Sequence, residues 1–413
     1  MEQLNVLFGN VFTKDRNTLP GLSEQETDEI KAAIEAGDLS GAACVVQRSD
    51  ELLKKTELNI AITGESGTGK SSFLNALRGL RDEDEGSAET GVVETTKEPM
   101  PYQHSKYTNV IFWDLPGIGT PDFQSDTYLE QVTFNRYDFF IIIASERFRA
   151  NHAKLAQEIH KMGKKFYFVR SKVDFDLSNE KDKKSFNEER TLEQIRNNCI
   201  KHLCREGMSS PQVFLVSSKE FHKYDSPKLQ KMLLKELESH KKHIFLLALP
   251  NLCKPILEKK KKVLQRQIWK QALKSCAIAA VSLPVLSVKC DVGILVDNMR
   301  EYYESFGLDD ISLITLASQV RKPVAELKNV IKSPLDNKIS KEKAEELLTE
   351  ATGEGLMVVK RFVSMIPVVG TIFAAERSFT VTYRMLNSFL GGVAEDAQRV
   401  LIKALETQEK TNE

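Results

Sequence analysis

Residues Gly64-Glu65-Ser66-Gly67-Thr68-Gly69-Lys70-Ser71 constrain this chain more than any other feature. They match G-x-x-x-x-G-K-[ST] and stand between an apolar, strand-like run at 59–62 and a helix-like stretch at 72–80. The glycines let the backbone curl until successive N–H groups and the helix N-terminus face phosphate oxygens. Lys70 then reaches the β- and γ-phosphates, Ser71 gives its hydroxyl to Mg²⁺, and the following Ser72 completes the cradle. A loop of this kind needs a sheet behind it.

The rest of the chain supplies that sheet. Short runs rich in Ile, Val and Phe recur at 58–62, 109–113, 139–143, 166–169 and 213–216, separated by polar stretches of helical length. Runs of this sort are buried parallel strands with crossover helices, so the expected fold is α/β with a doubly wound, mostly parallel sheet. Before it, residues 1–55 read as a helical segment, with Ser23 as a cap and Ile30 and Ile34 on one face. After about residue 241 only helical periodicity remains. The expected domains are an N-terminal helical segment (1–55), a nucleotide-binding domain (56–243) and a C-terminal helical domain (244–413), with the two helical parts forming one unit.

Three further motifs sit at strand ends in the matching order. Asp114-Leu115-Pro116-Gly117 follows the second run, where a carboxylate holds a magnesium-bound water and the Gly117 N–H senses the γ-phosphate. Ser171-Lys172-Val173-Asp174 follows the fourth. There Asp174 can accept the N1–H and 2-amino hydrogens of guanine, which adenine cannot offer, while Lys172 lays its stem across the base. Val216-Ser217-Ser218-Lys219 follows the last and resembles the S-A-K loop of GTPases, which meets guanine O6 through its backbone. Together these motifs specify a Ras-like P-loop G domain using GTP/GDP and Mg²⁺. An ATPase would require Asp174 to point away from the base. Between P-loop and Asp114 lies the switch segment, in which Thr90 or Thr96 is expected to complete the Mg²⁺ shell, with Thr90 and Gly91 also expected at the nucleotide; both threonines stay open. The acidic run at 81–85 reads as a solvated loop.

Composition excludes several partners. With 58 basic and 58 acidic residues the formal charge is zero, so no global field favours nucleic acid, and no aromatic platform or nucleic-acid module accompanies the basic clusters. Six cysteines without a C-x-x-C pair argue against a zinc site or disulfide scaffold and fit a reducing, cytoplasmic setting. No secretory signal, myristoylation glycine or prenylated cysteine is read, and the apolar stretches 276–288 and 356–375 are too short or too charged to span a bilayer. The basic stretch 256–271, with Leu257, Leu264 and Ile268 on one face and Lys259–Lys262, Arg266 and Lys270 around it, could dock on a membrane with those segments or pack into a helical core.

The residues Gly64 to Asn75, Thr90-Gly91-Val92-Val93-Glu94, and Phe112-Trp113-Asp114-Leu115-Pro116-Gly117-Ile118-Gly119 resemble the immunity-related GTPases, the interferon-inducible p47 family, in the branch with lysine in the P-loop. The similarity runs through Leu249-Pro250-Asn251 and fades beyond about 275. The resemblance implies a GTP-hydrolysing protein of cell-autonomous defence that self-assembles with GTP, as dimer or oligomer through the G domain, peripherally on intracellular membranes. Many GTPases carry a water-orienting glutamine where this chain has Ile118. By resemblance Glu94 orders the water or touches a partner's nucleotide; the bland alternative is a solvated loop residue. The competing functional reading is a nucleotide-gated scaffold with negligible turnover.

Overall fold

A computed structural model describes residues 22–91, 96–117, 132–145, 150–208, 210–281, 284–333 and 371–406. The chain divides into two compact units: one contains 56–256 and 314–324, the other 1–55, 257–313 and 325–413.

The first unit is built on a six-stranded sheet in the order β2-β3-β1-β4-β5-β6. The strands are β1 (Leu58–Gly64), β2 (Met100–Gln103), β3 (Val110–Asp114), β4 (Phe139–Ala144), β5 (Lys165–Arg170) and β6 (Val213–Leu215). All neighbours pair in parallel except β2 with β3. Every residue of β4 is buried, as a strand covered by helices on both faces must be. Around the sheet lie α3 (Lys70–Leu77), α4 (Ala150–Lys161), α5 (Val173–Glu180), α6 (Glu188–Arg205), α7 (Ser226–Glu236) and α8 (Ser239–Ala248). One face carries an aromatic ladder: Tyr137 meets Trp113 at 5.8 Å and Phe140 at 5.5 Å, both edge to face. This is the expected mostly parallel, doubly wound α/β sheet. Its order reverses beside β1, which puts the ligand crevice at the C-terminal ends of β1, β3 and β4.

β2 has no counterpart in the sequence reading. Met-Pro-Tyr-Gln has no apolar alternation and is mostly exposed; it becomes a strand because the free edge of β3 accepts it, and an edge tolerates Pro101.

The second unit is helical. Its helix α1 (Glu24–Glu35) opens with a reciprocal capping box: the Glu26 N–H donates to Ser23 Oγ at 3.2 Å, and the Ser23 N–H donates to Glu26 Oε2 at 2.8 Å. Then come α2 (Leu39–Lys55), α9 (Lys254–Gln265), α10 (Ile268–Val281), α11 (Pro284–Ser305), α12 (Asp310–Val320), α13 (Val324–Lys328) and α14 (Thr371–Leu405), with the division between units falling within α9, within α12 and after the first residue of α13. Ile30, Val46, Trp269, Leu273 and Phe379 share a core. Trp269 is 2 % exposed at its centre. Trp269→Ala is therefore expected to destabilise the helical unit by about 3–5 kcal/mol, measured by urea unfolding.

The basic stretch 256–271 is two helices rather than one, and two of its cations are not on a solvated face. Lys260 is buried and donates to the Ser305 carbonyl at 2.7 Å, while Lys270 is buried against Asp50 at 3.4 Å. Leu257, Leu264 and Ile268 are core. Cys276 and Ala277, which open the apolar stretch, are also buried, whereas its side chains from 279 onward and residues 356–370 lie outside the described residues. Among the described residues no helix is long and apolar enough to cross a membrane.

Asp396 on α14 is buried and accepts the N–H groups of Lys332 at 2.7 Å and Ser333 at 2.8 Å, with the Ser333 hydroxyl and Arg399 also on it. Burial pushes its carboxyl up, but these donors together hold it below the usual carboxylate range. A depressed folded pKa gives stability that is complete above the unfolded value and lost as pH falls through the folded one. Urea midpoints of wild type and Asp396→Asn are thus expected to differ at neutral pH, the gap beginning to close only below about pH 4 and vanishing below the depressed folded value.

Candidate nucleotide site

The site begins where β1 ends. Gly64 has φ 147°, and a Cβ there would stand 2.1 Å from the Ile143 carbonyl oxygen, so only glycine lets β1 turn beside β4. Gly69 caps α3 in the left-handed conformation, φ 87°. Thr68 closes the loop through its hydroxyl, which donates to the Glu65 carbonyl at 2.8 Å, and Lys70 Nζ reaches the same carbonyl at 3.3 Å. Lys70 is thus folded back over its own loop, with its charge close enough to act on Asp114.

Asp114 ends β3 and is 1 % exposed. Its Oδ2 accepts from Ser71 Oγ at 2.6 Å and from Thr96 Oγ1 at 3.1 Å. Its Oδ1 is buried with no hydrogen-bond partner among the described residues. Burial pushes the carboxyl up, against the Ser71 hydrogen bond, the Lys70 charge and the Thr96 hydrogen bond. An under-satisfied buried carboxylate flanked by two hydroxyls is an all-oxygen donor set of the kind a hard divalent cation takes. Gly117 is buried nearby in sequence; Ile118 and Glu94 lie outside the described residues.

One cavity of about 140 Å³ is lined by Ser66, Gly67, Gly69, Lys70, Ser71, Ser72, Thr90, Gly91, Thr96 and Lys172. The fold thus gathers most of the P-loop, both switch threonines and the lysine of the Ser171–Asp174 motif. Ser72 keeps its hydroxyl on Asp82 at 2.9 Å. Asp82 is therefore tied to α3 rather than simply solvated. Gly64, Glu65, Thr68, Asp174, Ser217, Ser218 and Lys219 do not line this cavity.

The Ser171–Asp174 motif is anchored to the P-loop by its own side chains. Ser171 Oγ donates to the Thr68 carbonyl at 2.7 Å, and Lys172, in the left-handed region with φ 56°, donates from Nζ to the Gly67 carbonyl at 2.7 Å. Asp174 follows in the first turn of α5, half-buried. The Val173 N–H donates to the Val216 carbonyl at 3.3 Å, which sets the loop carrying Ser217, Ser218 and Lys219 beside it. Ser217 is buried and its hydroxyl accepts the Glu220 N–H at 3.1 Å.

The sequence reading missed Arg170. It is buried at the end of β5 and donates to the Ser171 carbonyl at 2.9 Å, the Ser145 carbonyl and Asp176 Oδ2 at 2.6 Å, which brackets the Ser171–Asp174 turn on both sides. A lone cation closing an apolar strand was the available signal.

A curled glycine loop feeding α3, a buried aspartate ending β3 and a lysine-aspartate turn after β5, on a sheet of this order, define a P-loop GTPase. The profile described as interferon-inducible GTPase (IIGP) matches residues 23–404. Interferon-inducible GTPase 5 of Rattus norvegicus is 44% identical over 397 residues, covering 95% of this chain and 85% of that one. Interferon-gamma-inducible GTPase 10 of Mus musculus is 42% identical over 396 residues, covering 95% and 92%. Interferon-inducible GTPase 1 of Mus musculus is 36% identical over 397 residues, covering 95% and 94%. The chain belongs to the interferon-inducible GTPase family: it binds GTP and GDP and hydrolyses GTP.

Proposed function

We propose that this GTPase works with Mg²⁺, that its GTP state self-associates through the G domain, and that it acts from the cytoplasm on intracellular membranes in cell-autonomous immune defence. The observation that carries the metal reading is the convergence of the Ser71 and Thr96 hydroxyls on Asp114, whose Oδ1 is buried and unpartnered among the described residues. Of the two switch threonines this geometry favours Thr96 as the magnesium residue and leaves Thr90 to line the phosphate cavity. When bound, the ion supplies charge neutralisation at the β- and γ-phosphate oxygens.

The chain's own groups do the rest. Lys70 holds terminal phosphate oxygens, the 65–72 backbone N–H groups cradle the others, and the Gly117 N–H meets the γ-phosphate. Asp174 accepts from the guanine N1–H and 2-amino group, Lys172 flanks the base, and the Ser217-Ser218-Lys219 backbone faces O6. Glu94 orders the attacking water or reaches a partner's nucleotide.

Self-association and the immune role are supported by family membership and by the interferon induction in the names of the mouse and rat relatives. Membrane contact has, besides that, the α9 cations Lys259 and Lys262 and the adjoining Arg266, which remain exposed. No nucleic-acid partner is proposed.

Phosphate release from GTP, followed as a function of protein concentration for wild type and Glu94→Ala with ATP as control, tests the assembly reading. Specific activity should rise with concentration, and flat activity would overturn self-activation. Sedimentation with vesicles containing anionic lipid should carry down more protein with a non-hydrolysable GTP analogue than with GDP; equal, negligible binding would overturn the membrane reading.

A further inference from the structure

We infer that Asn75 and Arg78 on α3, with Tyr102 on β2, are positioning residues for hydrolysis that tie both flanks of the switch segment to the helix bearing Lys70 and Ser71, and so set Thr96 on Asp114. The inference rests on the reading of Ser71, Thr96 and Asp114 as the magnesium residues.

Asn75 stands one helical turn beyond Ser71 and is fully buried. Its Oδ1 accepts the Ala88 N–H at 2.6 Å and its Nδ2 donates to the Ala88 carbonyl at 3.0 Å, so one amide reads one backbone residue in both directions. The same Nδ2 donates to Asp82 Oδ1 at 2.9 Å, which uses both of its hydrogens. Ala88 is two residues before Thr90.

Arg78, at the C-terminal end of the same helix and 8 % exposed, spans the two flanks. Nη1 donates to the Gly86 carbonyl at 2.8 Å on the leading side, and Nη2 donates to the Gln103 carbonyl at 2.8 Å on the returning side. Its guanidinium also lies 5.5 Å from the Tyr102 ring centre. The Tyr102 hydroxyl is hydrogen-bonded to the Glu89 backbone, next to Thr90. On the returning side β2 runs antiparallel to β3, with Met100 opposite Asp114.

A buried guanidinium that gives Nη1 and Nη2 to two carbonyls, with Nε buried and unpartnered among the described residues, costs more to desolvate than a surface cation, and what it secures is geometry. With both flanks fixed, bringing Thr96 to Asp114 costs less loop-closure entropy than it would from a free loop. The hydrogen bonds of Arg78 and Tyr102 fall on Gly86, Gln103 and Glu89, none of which lines the nucleotide cavity, so their effect belongs to the triphosphate state.

The test uses Arg78→Lys, Tyr102→Phe and Thr96→Ala in the full chain, alone and with Arg78→Lys combined with Thr96→Ala. Tyr102 is on an edge strand, so its variant keeps the test alive should Arg78→Lys unfold the protein. Binding of fluorescent GDP and of a fluorescent non-hydrolysable GTP analogue is measured across Mg²⁺ concentrations, beside single-turnover hydrolysis. GDP affinity should stay within about twofold of wild type. Analogue affinity and single-turnover rate should fall about tenfold in Arg78→Lys, less in Tyr102→Phe, with more Mg²⁺ needed for half-maximal analogue binding. In the Thr96→Ala background Arg78→Lys should add nothing, because it acts through that residue; a merely structural role would add in full.

Equal loss of GDP and analogue affinity, or full additivity, would overturn the inference. Active-site loss in Thr96→Ala beside unchanged Arg78→Lys and Tyr102→Phe overturns the inference alone, whereas an inert Thr96→Ala overturns the magnesium reading and takes this inference with it.

Discussion

Lys70→Ala is expected to lower GTP turnover by about 100- to 1,000-fold, the loss typical of removing one pre-positioned charge from a developing phosphoryl transition state. The residue is only 7 % exposed, and the Glu65 carbonyl that it reaches is also engaged by Thr68. A buried ammonium beside a phosphate cradle acts at low dielectric, where its field is least screened. Alanine removes the charge and leaves the glycine geometry of the loop intact. Steady-state phosphate release, with circular dichroism to show an unchanged fold, measures the effect. Loss of GTP affinity without loss of turnover at saturation would mean that Lys70 binds ground and transition state alike.

Asp174→Asn is expected to invert base preference. Guanine offers two adjacent donors, N1–H and the 2-amino group, and a carboxylate meets both. Asparagine presents one acceptor and one donor, so guanine loses a bond and meets an unpaired N–H, whereas xanthine, with a carbonyl in place of the amine, is matched. Selection built on such pairing is steep: kcat/KM for GTP should fall about 100-fold or more, and XTP should become the better substrate. The effect requires a base held in one place, and the turn is braced for that. Ser171 is bonded to the P-loop, Arg170 to Asp176 behind it, and Val173 to Val216 beside it. If GTP and XTP both keep their wild-type values, Asp174 does not face the base.

Much of this was legible in the residues themselves. The P-loop declares itself through glycines at defined spacing: Gly64, where a Cβ would meet the Ile143 carbonyl, and Gly69, left-handed at the head of α3. The five parallel strands were visible because a strand covered on both faces must be apolar throughout, as β4 is. Asp114 and Asp174 stood out as candidates because each comes at the end of such a strand, on the side of the sheet where ligands sit.

Other features depend on what the rest of the molecule brings near. Met100–Gln103 is a strand only because β3 offers an open edge. Lys260 and Lys270 read as surface cations from a helical wheel, and became buried because Ser305 and Asp50, remote in sequence, supply oxygen where those ammonium groups arrive. The choice between Thr90 and Thr96 could not be made from spacing, since both fall in one irregular segment; Thr96 is the one whose hydroxyl lies on Asp114. Asn75 and Arg78 looked like ordinary helix residues. Local rules of backbone freedom and burial period therefore determined the fold class and the phosphate cradle from sequence alone, because those constraints act between neighbours. Tertiary structure decided which polar side chains are buried and bonded, because that depends on partners the chain delivers from far away.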